Sequence, residues 1–344
     1  MTTSVAGLGA WPGTDVLEAQ TVVMGSLTSM PAGVDGLPFL VQLPGRGYGA
    51  EPTGRSTALL VEMHGEIGPH GWKLADRPGR DSVRAEALLR EDLGALAVAG
   101  YGYAGPLVVS VMGPLSLAAS LYLARGDRVL SDLGAVQALT ESLAAGVVAH
   151  LDAVRAAVPG AEPIVVLDET ALPEVLLGRI ATFSGNSVLR AVPSPVASEH
   201  LRTVAEAARK AGASRVMVHT GASWVPVRTV VAAGADAVGL CGALFNDTGW
   251  ERIAEAVERG VALWAGLPAA VPLSSSARTG GPDVVGQASA VLTPWARIGL
   301  PPGGLREIVL FPEPAGWESP AAASVALADV ARAAEVIAER AEEG

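Results

Sequence analysis

The chain has 344 residues, of which half are hydrophobic and 17% are charged, and its formal net charge is −11. This length can bury the core of one large α/β domain or of two ordinary domains. The negative charge and the lack of basic runs argue against a partner that offers a nucleic-acid backbone. The apolar runs are short and are broken by Gly, Pro or charged residues, so none predicts a membrane span.

The N-terminal segment and the cysteine content bear on the compartment. The opening MTTSVAGLGAWPGTD has no charged region followed by an apolar core, so we expect no secretory signal peptide here. Cys241 is the single cysteine, which excludes an internal disulfide framework and fits a reducing compartment. We therefore predict a soluble cytoplasmic protein.

Apolar runs of about five to seven residues alternate along the chain with Ala-, Glu- and Arg-rich segments of helical character. This alternation is typical of repeated βα units around a parallel sheet. The predicted strands cover residues 5–11, 37–43, 107–113, 164–169, 216–221, 235–241, 262–267 and 307–313. Eight such units predict a single-domain (β/α)8 barrel over residues 1–344. Residues 188–194 are a candidate extra strand, and 268–304 are expected to form an inserted loop or lid.

Several of the predicted helices have recognisable starts and ends. In the segment 248–260, Thr248 and Glu251 match a capping box and the terminal glycine supplies the stop. In the segment 194–212, serine and proline mark the start and glycine the end. Ser319 and the proline after it predict the start of a final helix that runs to about Glu342.

A dinucleotide-binding sheet is the alternative for the first strand. The stretch GLGAWPG has Gly7, Gly9 and Gly13, which approach the glycine fingerprint of such a sheet. Pro12, however, removes a backbone N–H that a bound phosphate needs at this turn. We therefore expect no nucleotide cofactor.

Polar side chains follow several of the predicted strands. In a βα barrel the carboxyl ends of the strands line the active-site face, so these residues are expected to converge. The candidate catalytic residues are Asp168 and His219; the candidate substrate-binding residues are Gly9, Trp11, Met112 and Glu169; the candidate metal ligands are His219, Cys241 and Glu313. Each has a structural alternative: the acids can cap the next helix, the histidine can be a hydrogen-bonded strand end, and the cysteine can be a small hydrophobic residue.

The segment VEMHGEIGPHGW also contains possible metal ligands, His64, Glu66 and His70. Because proline and glycines surround these residues, the segment is expected to form an exposed loop rather than a metal site.

Six segments, in this order, resemble the catalytic barrel of cobalamin-independent methionine synthase, within the uroporphyrinogen-decarboxylase-like superfamily. The segments are GLGAWPGT (7–14), MGPLSLA (112–118), LDETAL (167–172), VHTG (218–221), ADAVGLC (235–241) and FPEPAG (311–316). The resemblance implies a barrel that transfers a methyl group to a thiol such as homocysteine, from a folate or from a protein-presented donor. It also implies a zinc ion held by one His, two Cys and one acid, which keeps the thiol deprotonated.

The sequence departs from this family pattern at the zinc ligands. His219 matches the histidine, but Gly221 and Pro314 stand at the two cysteine positions and Cys241 at the acidic one. Ala10 replaces the opening serine, and no acid matches near 42–44. The resemblance therefore implies a methyltransferase with an incomplete zinc-ligand set. The alternatives are a barrel that has lost zinc chemistry and acts as a small-molecule binding protein or as a partner subunit, or a decarboxylase-like relative.

Overall fold

The computed structural model describes residues 2–241, 246–270, 282–313 and 317–342. Eight parallel strands with helices between them form a nearly closed barrel, which confirms the predicted (β/α)8 fold. The strands of the described residues are β1 (Thr3–Ala6), β2 (Val34–Leu37), β3 (His64–Gly68), β4 (Gly71–Ala75), β5 (Ala104–Met112), β6 (Gly160–Asp168), β7 (Arg215–His219), β8 (Ala237–Cys241), β9 (Ala262–Leu267) and β10 (Val309–Pro312).

Helices follow the barrel strands along the chain. The α-helices of the same residues are α1 (Val16–Leu27), α2 (Pro52–Thr57), α3 (Arg80–Ala99), α4 (Pro114–Ser120), α5 (Leu133–Ala157), α6 (Leu172–Leu177), α7 (Ser194–Lys210), α8 (Val227–Ala232), α9 (Asp247–Glu258), α10 (Val284–Arg297) and α11 (Pro320–Glu342). In the described part of the chain, no helix combines the length and the apolar character needed to cross a bilayer.

The sheet closes on itself between β2 and β5. The strand order is β2-β1-β10-β9-β8-β7-β6-β5, with parallel pairing throughout. Just beyond β2, Phe39 pairs with Val108 of β5. The Leu40 N–H donates to the Val108 carbonyl at 2.9 Å, and the Val108 N–H donates to the Pro38 carbonyl at 2.8 Å. These bonds join the two ends of the sheet into a ring.

The strands form because their apolar residues are buried on both faces. In β6, Val165, Val166 and Leu167 are consecutive and all buried. Such uninterrupted runs are typical of parallel strands, which have the barrel interior on one side and helices on the other.

The first two strands end earlier than predicted. Gly9, with φ +96°, turns the chain after β1, and the expected strand 37–43 continues past β2 as extended chain with isolated bridges.

The helix signals are confirmed with two corrections. Ser194, expected at the N-cap of α7, is instead its first helical residue, because Pro193 takes the N-cap position without a side-chain hydrogen bond. The Ser319 hydroxyl accepts a hydrogen bond from the Ala322 N–H at 3.2 Å, as expected at the start of α11. The predicted Thr248–Glu251 capping box is wrong, because the Asn246 side chain caps α9 by accepting from the Gly249 N–H at 2.9 Å. Asparagine is among the strongest N-caps, so the helix begins one residue earlier than the threonine.

Two segments, the candidate extra strand and the expected inserted loop, differ from their predictions. Residues 188–194 do not form a strand, because the chain folds back on α6: the Leu189 and Val192 N–H groups donate to the Ile180 and Val175 carbonyls. The stretch 268–304 is not simply an inserted loop, since it contains α10, the barrel helix between β9 and β10. Residues 271–281 of that stretch lie outside the described residues.

The segment with His64, Glu66 and His70 forms the antiparallel hairpin β3–β4 rather than an exposed loop. Glu66 pairs with Lys73 across the hairpin at 2.8 Å, and the His70 ring stacks edge-on against Phe183 at 4.5 Å. These side chains therefore have structural partners within the hairpin and its surroundings.

Both outer edges of the hairpin are covered. On the β4 side, the Leu74 N–H donates to the Tyr122 carbonyl at 2.7 Å and the Tyr122 N–H donates to the Trp72 carbonyl at 2.9 Å. On the β3 side, the Ser82 hydroxyl donates to the Gly65 carbonyl at 2.6 Å. The hairpin is thus tied to the loop after α4 and to the start of α3.

Candidate active site

The ends of three neighbouring strands bring candidate residues together. The parallel register places Met112 opposite Asp168 and Asp168 opposite His219. All three side chains line one cavity at the carboxyl ends of the strands, which is the active-site face of (β/α)8 barrels.

The cavity has a volume of about 110 Å³ and is mostly apolar. An apolar cavity of roughly 150 Å³ accepts a benzene-sized molecule, so the space suits a small ligand or one end of a larger one. The lining residues are Leu8, Ala10, Gln42, Pro52, Arg55, Ser56, Leu59, Ser110, Val111, Met112, Val166, Asp168, Thr170 and His219. A few polar groups on an apolar wall are typical of small-molecule sites.

His219 ends β7 and is only 4% exposed. Its Nε2 lies 3.8 Å from the Cys241 Sγ, and its ring packs edge-on against Phe311. Its Nδ1 lies beside Gly239 and makes no hydrogen bond of normal geometry among the described residues. Burial lowers the pKa of His219, whereas the nearby Asp168 carboxylate and a backbone contact with Gly239 oppose that shift. The imidazole is therefore neutral near pH 7 and can accept a proton.

Asp168 and Glu169 are adjacent but have different surroundings. Asp168 is partly buried, lines the cavity and accepts a hydrogen bond from the Thr170 N–H at 3.2 Å. Glu169 is fully buried and is not among the residues that line the cavity. Successive residues of a strand point to opposite faces, so this difference follows from the position of the pair at the end of β6.

Glu169 instead holds the start of α4. Its carboxylate accepts hydrogen bonds from the Leu115 N–H, the Ser116 N–H and the Ser116 hydroxyl at 2.8–2.9 Å. Gly113 allows this approach, because a Cβ there would lie 2.4 Å from the Glu169 Oε1. Burial raises the pKa of Glu169 to about 7, against the lowering effect of the three donors. Glu169 therefore does cap a helix, but the helix is α4, which follows β5, rather than the next helix along the chain.

Gly9 and Trp11 position the first turn of the barrel. The Trp11 N–H donates to the Gln42 carbonyl at 2.9 Å, and the Gln42 N–H donates to the Gly9 carbonyl at 2.8 Å. The Trp11 ring is buried between Phe39 and Trp317, outside the cavity lining. Gln42 itself lines the cavity and donates from Nε2 to the Ser110 carbonyl at 2.7 Å.

Cys241 and Glu313 lie beside His219 on the same face. Both flank Gly266: a Cβ on that glycine would lie 3.0 Å from the Glu313 Cγ and 3.1 Å from the Cys241 Cα. Burial raises the pKa of the Cys241 thiol to about 12, with further contributions from Glu313 and Asp168. The thiol is therefore protonated at neutral pH unless a cation binds to it.

His219 and Cys241 supply only two of the four ligands that a tetrahedral zinc site needs. Zinc bonds of about 2.3 Å to sulfur and 2.0 Å to nitrogen place the two atoms roughly 3.6 Å apart, close to the 3.8 Å between Cys241 and His219. Gly221 offers no donor, and Pro314 lies outside the described residues. Among the residues that the structure describes, no three His, Cys, Asp or Glu side chains group as a metal site. The described ligands thus do not complete the zinc set.

Arg55 is the main cavity residue that the sequence analysis does not identify. It lies on α2 and forms an ion pair with Asp92 of α3, which also pairs with Arg46. Asp92 occupies the apolar face of α3, between buried Leu89 and Ala95. A carboxylate on an apolar helix face requires a cationic partner. The position of Asp92 in the sequence could therefore have indicated a buried cation such as Arg55.

Comparisons with known proteins give matches of low sequence identity and low structural similarity. No protein-family model and no curated protein matches the sequence. Among solved structures, a B12-independent methionine synthase from Shewanella sp. W3-18-1 is 12% identical, with 73% of this chain and 68% of that chain covered and a TM-score of 0.46. A β-galactosidase from Marinomonas ef1 is 11% identical, with coverages of 100% and 60% and a TM-score of 0.48.

A third solved structure, 2,3-dimethylmalate lyase, is 12% identical, with coverages of 90% and 75% and a TM-score of 0.36. A fold does not determine an activity. The function of this (β/α)8 barrel therefore has to be argued from its own site.

Proposed function

We propose that this barrel is an enzyme that binds a small thiol in the cavity and transfers a methyl group to its sulfur. The observation that carries the proposal is the position of His219, a neutral imidazole that lines the cavity with the Asp168 carboxylate on the neighbouring strand. The six segments that resemble cobalamin-independent methionine synthase support the choice of methyl transfer.

In the proposed step, the substrate thiol gives its proton to His219. The sulfur then attacks the methyl carbon of the donor, so that the S–C bond forms while the bond from methyl to donor breaks. The donor leaves with that electron pair, and the imidazolium gives its proton to the leaving group. Asp168 stabilises the imidazolium by its charge, since it already raises the pKa of His219 against the effect of burial.

The proposal does not depend on zinc. If a zinc ion bound here, His219 and Cys241 would be two of its ligands, and the ion would keep a substrate thiol deprotonated. Because the described residues do not complete the ligand set, the proton acceptor in the proposed step is the imidazole.

A lyase-like reaction without a metal is the second candidate. It is favoured by the combination of Arg55, Asp168 and His219 in the cavity lining, because such groups can hold an anionic substrate and move protons without a Lewis acid. A barrel that only binds a small molecule would use the same residues without turnover.

The test is a methyl-transfer assay with homocysteine and methyltetrahydrofolate, read by mass spectrometry of the methylated thiol. We expect turnover by the native chain and a loss of about 100-fold or more in His219→Asn, because a general base contributes roughly that much. His70→Asn, on the exposed hairpin, is the matched control and should keep the native rate. If His219→Asn is folded by its thermal melt and keeps full activity, the proposed role of the imidazole is wrong.

A further inference from the structure

Arg55 is buried to a degree that is unusual for a guanidinium group. It is 5% exposed and lines the cavity together with Ser110 and His219. Its Nη1 donates to the Asp92 carboxylate, whereas its Nη2 has no hydrogen-bond partner among the described residues. Arginines of this kind normally have their N–H groups paired, because an unpaired buried donor costs free energy.

The charges around Arg55 do not balance within the buried cluster. Asp92 is 0% exposed and is shared by Arg46 and Arg55, so one carboxylate faces two guanidinium groups. The additional acid, Glu91, contacts only Arg46, at 3.4 Å, and is largely exposed to solvent, which weakens its effect. His150 adds no further positive charge, since burial and the charge of Arg55 lower its pKa to about 3.

A second polar group of the cavity wall also lacks a partner. The Ser110 hydroxyl is buried and has no hydrogen-bond partner in the described part of the chain. Two of the cavity residues, Arg55 and Ser110, therefore carry an unpartnered polar atom, one of them on a cation. Native proteins rarely bury such atoms together unless a water, an ion or a ligand satisfies them.

We propose that Arg55 anchors an oxyanion of the ligand, a carboxylate, phosphate or sulfonate group, at its end of the cavity. Arginine suits this role, because its planar fork of N–H donors matches the oxygen atoms of such groups. Asp168 lines the same cavity, so a bound anion has to direct its charge toward Arg55 rather than toward that carboxylate. This inference rests on the proposed function in one respect: both put the ligand in the same cavity.

The test measures binding rather than turnover. Propionate and propionamide have nearly the same shape but differ in charge, and inorganic phosphate supplies the other common oxyanion. We expect isothermal titration to show that propionate or phosphate binds the native chain at least about tenfold more tightly than propionamide, the advantage expected for a charge-assisted hydrogen bond. The stronger of the two anions identifies the kind of group that the site prefers.

Arg55→Met and Arg46→Met are the matched variants. Both remove one guanidinium from Asp92, but only Arg55 lines the cavity. We expect Arg55→Met to lose at least about tenfold in anion affinity and Arg46→Met to stay within roughly threefold of the native chain. If Arg55→Met does not fold, Arg55→Lys replaces it. Lysine keeps the charge but loses the planar fork, so it should bind the preferred anion more weakly than the native chain.

The outcomes separate this inference from the proposed function. Equal binding of propionate and propionamide, no anion binding by the native chain, or unchanged anion binding in Arg55→Met would each overturn the oxyanion site. Anion binding that depends on Arg55, without methyl transfer in the thiol assay, would keep the oxyanion site and reject methyl transfer.

Discussion

Two groups of residues at the cavity, a histidine side and an arginine side, are built differently, and of their members Asp168, His219 and Arg55 line the cavity itself. The histidine side consists of Asp168, His219 and Cys241, which end the neighbouring strands β6, β7 and β8. The arginine side consists of Arg46, Arg55 and Asp92, which come from a short 3-10 helix, α2 and α3. Strand register alone brings the first set together, whereas the second depends on how helices pack. We therefore expect a change of charge to lower the free energy of unfolding less on the histidine side than on the arginine side.

Asp92→Ala is expected to have the largest effect on stability. Removal of this carboxylate leaves two buried guanidinium groups without their shared partner, which typically costs about 3–5 kcal/mol. The measurement is the free energy of unfolding from urea titration. Glu91→Ala is the control, because its exposed ion pair should contribute less than about 1 kcal/mol. Similar losses in the two variants would contradict the view of the arginine side as a buried cluster.

His150 should make the arginine side sensitive to acid. Its pKa is about 3 in the folded chain, lowered by burial and then by Arg55, against an ordinary value of 6.5. The unfolded chain therefore takes up a proton first, and folding stability falls as the pH drops from 6.5 toward 3, by up to about 1.4 kcal/mol per pH unit.

The variant His150→Leu should reduce this loss, as measured by urea titrations at pH 6.5 and 5. His70→Leu, on the exposed hairpin, should leave the pH dependence unchanged. An unaltered slope in His150→Leu would mean that His150 ionises equally in the folded and unfolded chains.

Glu169 should have the opposite pH dependence at the end of β6. Burial raises its pKa to about 7, so the folded chain keeps a proton that the unfolded chain loses above about 4.5. Its contribution makes stability fall as the pH rises from 4.5 to 7, by at most about 1.4 kcal/mol per pH unit. Glu169→Gln should remove this slope, whereas Glu174→Gln, exposed on α6, should not. A slope that persists in Glu169→Gln would assign the pH dependence to another group.

Cys241 provides the mildest test of the histidine side. Because burial and two nearby acids raise the pKa of its thiol to about 12, alkylation by iodoacetamide at pH 8 should be at least about tenfold slower than that of N-acetylcysteine. Intact-mass measurements over time give the rate, and the urea-unfolded chain should react like the model thiol. Rapid alkylation of the folded chain would indicate an ionised thiol and would favour a cation bound between Cys241 and His219.

Much of the barrel could be predicted from the sequence, because buried parallel strands leave a strong local signal. The run IVVLDE predicts a strand at 164–169, and β6 ends at Asp168, so the position of this strand end is nearly correct. The hairpin β3–β4 could not be found in this way, since its strands contain glycines, His64 and Glu66 instead of a regular apolar pattern.

The site was predictable only where strand ends determine it. The sequence places Asp168, His219 and Cys241 at adjacent strand ends, and the structure brings His219 and Cys241 within 3.8 Å. The sequence does not show that Asp168 lines the cavity whereas Glu169 is buried outside it, because this depends on which face of the strand each side chain occupies. Nor does it identify Arg55, because the contact with Asp92 spans 37 residues and requires α2 to pack on α3.

The closure of the sheet between β2 and β5 also bears on how the molecule avoids aggregation. An open strand edge exposes unpaired backbone groups on which another chain can add a strand. The ring removes such edges from the barrel, and the small hairpin is protected separately, by the Tyr122 backbone on one edge and by the Ser82 hydroxyl on the other. Substitutions that release the hairpin from Tyr122 would therefore expose the β4 edge to pairing with another chain. Self-association should then increase before the barrel itself unfolds.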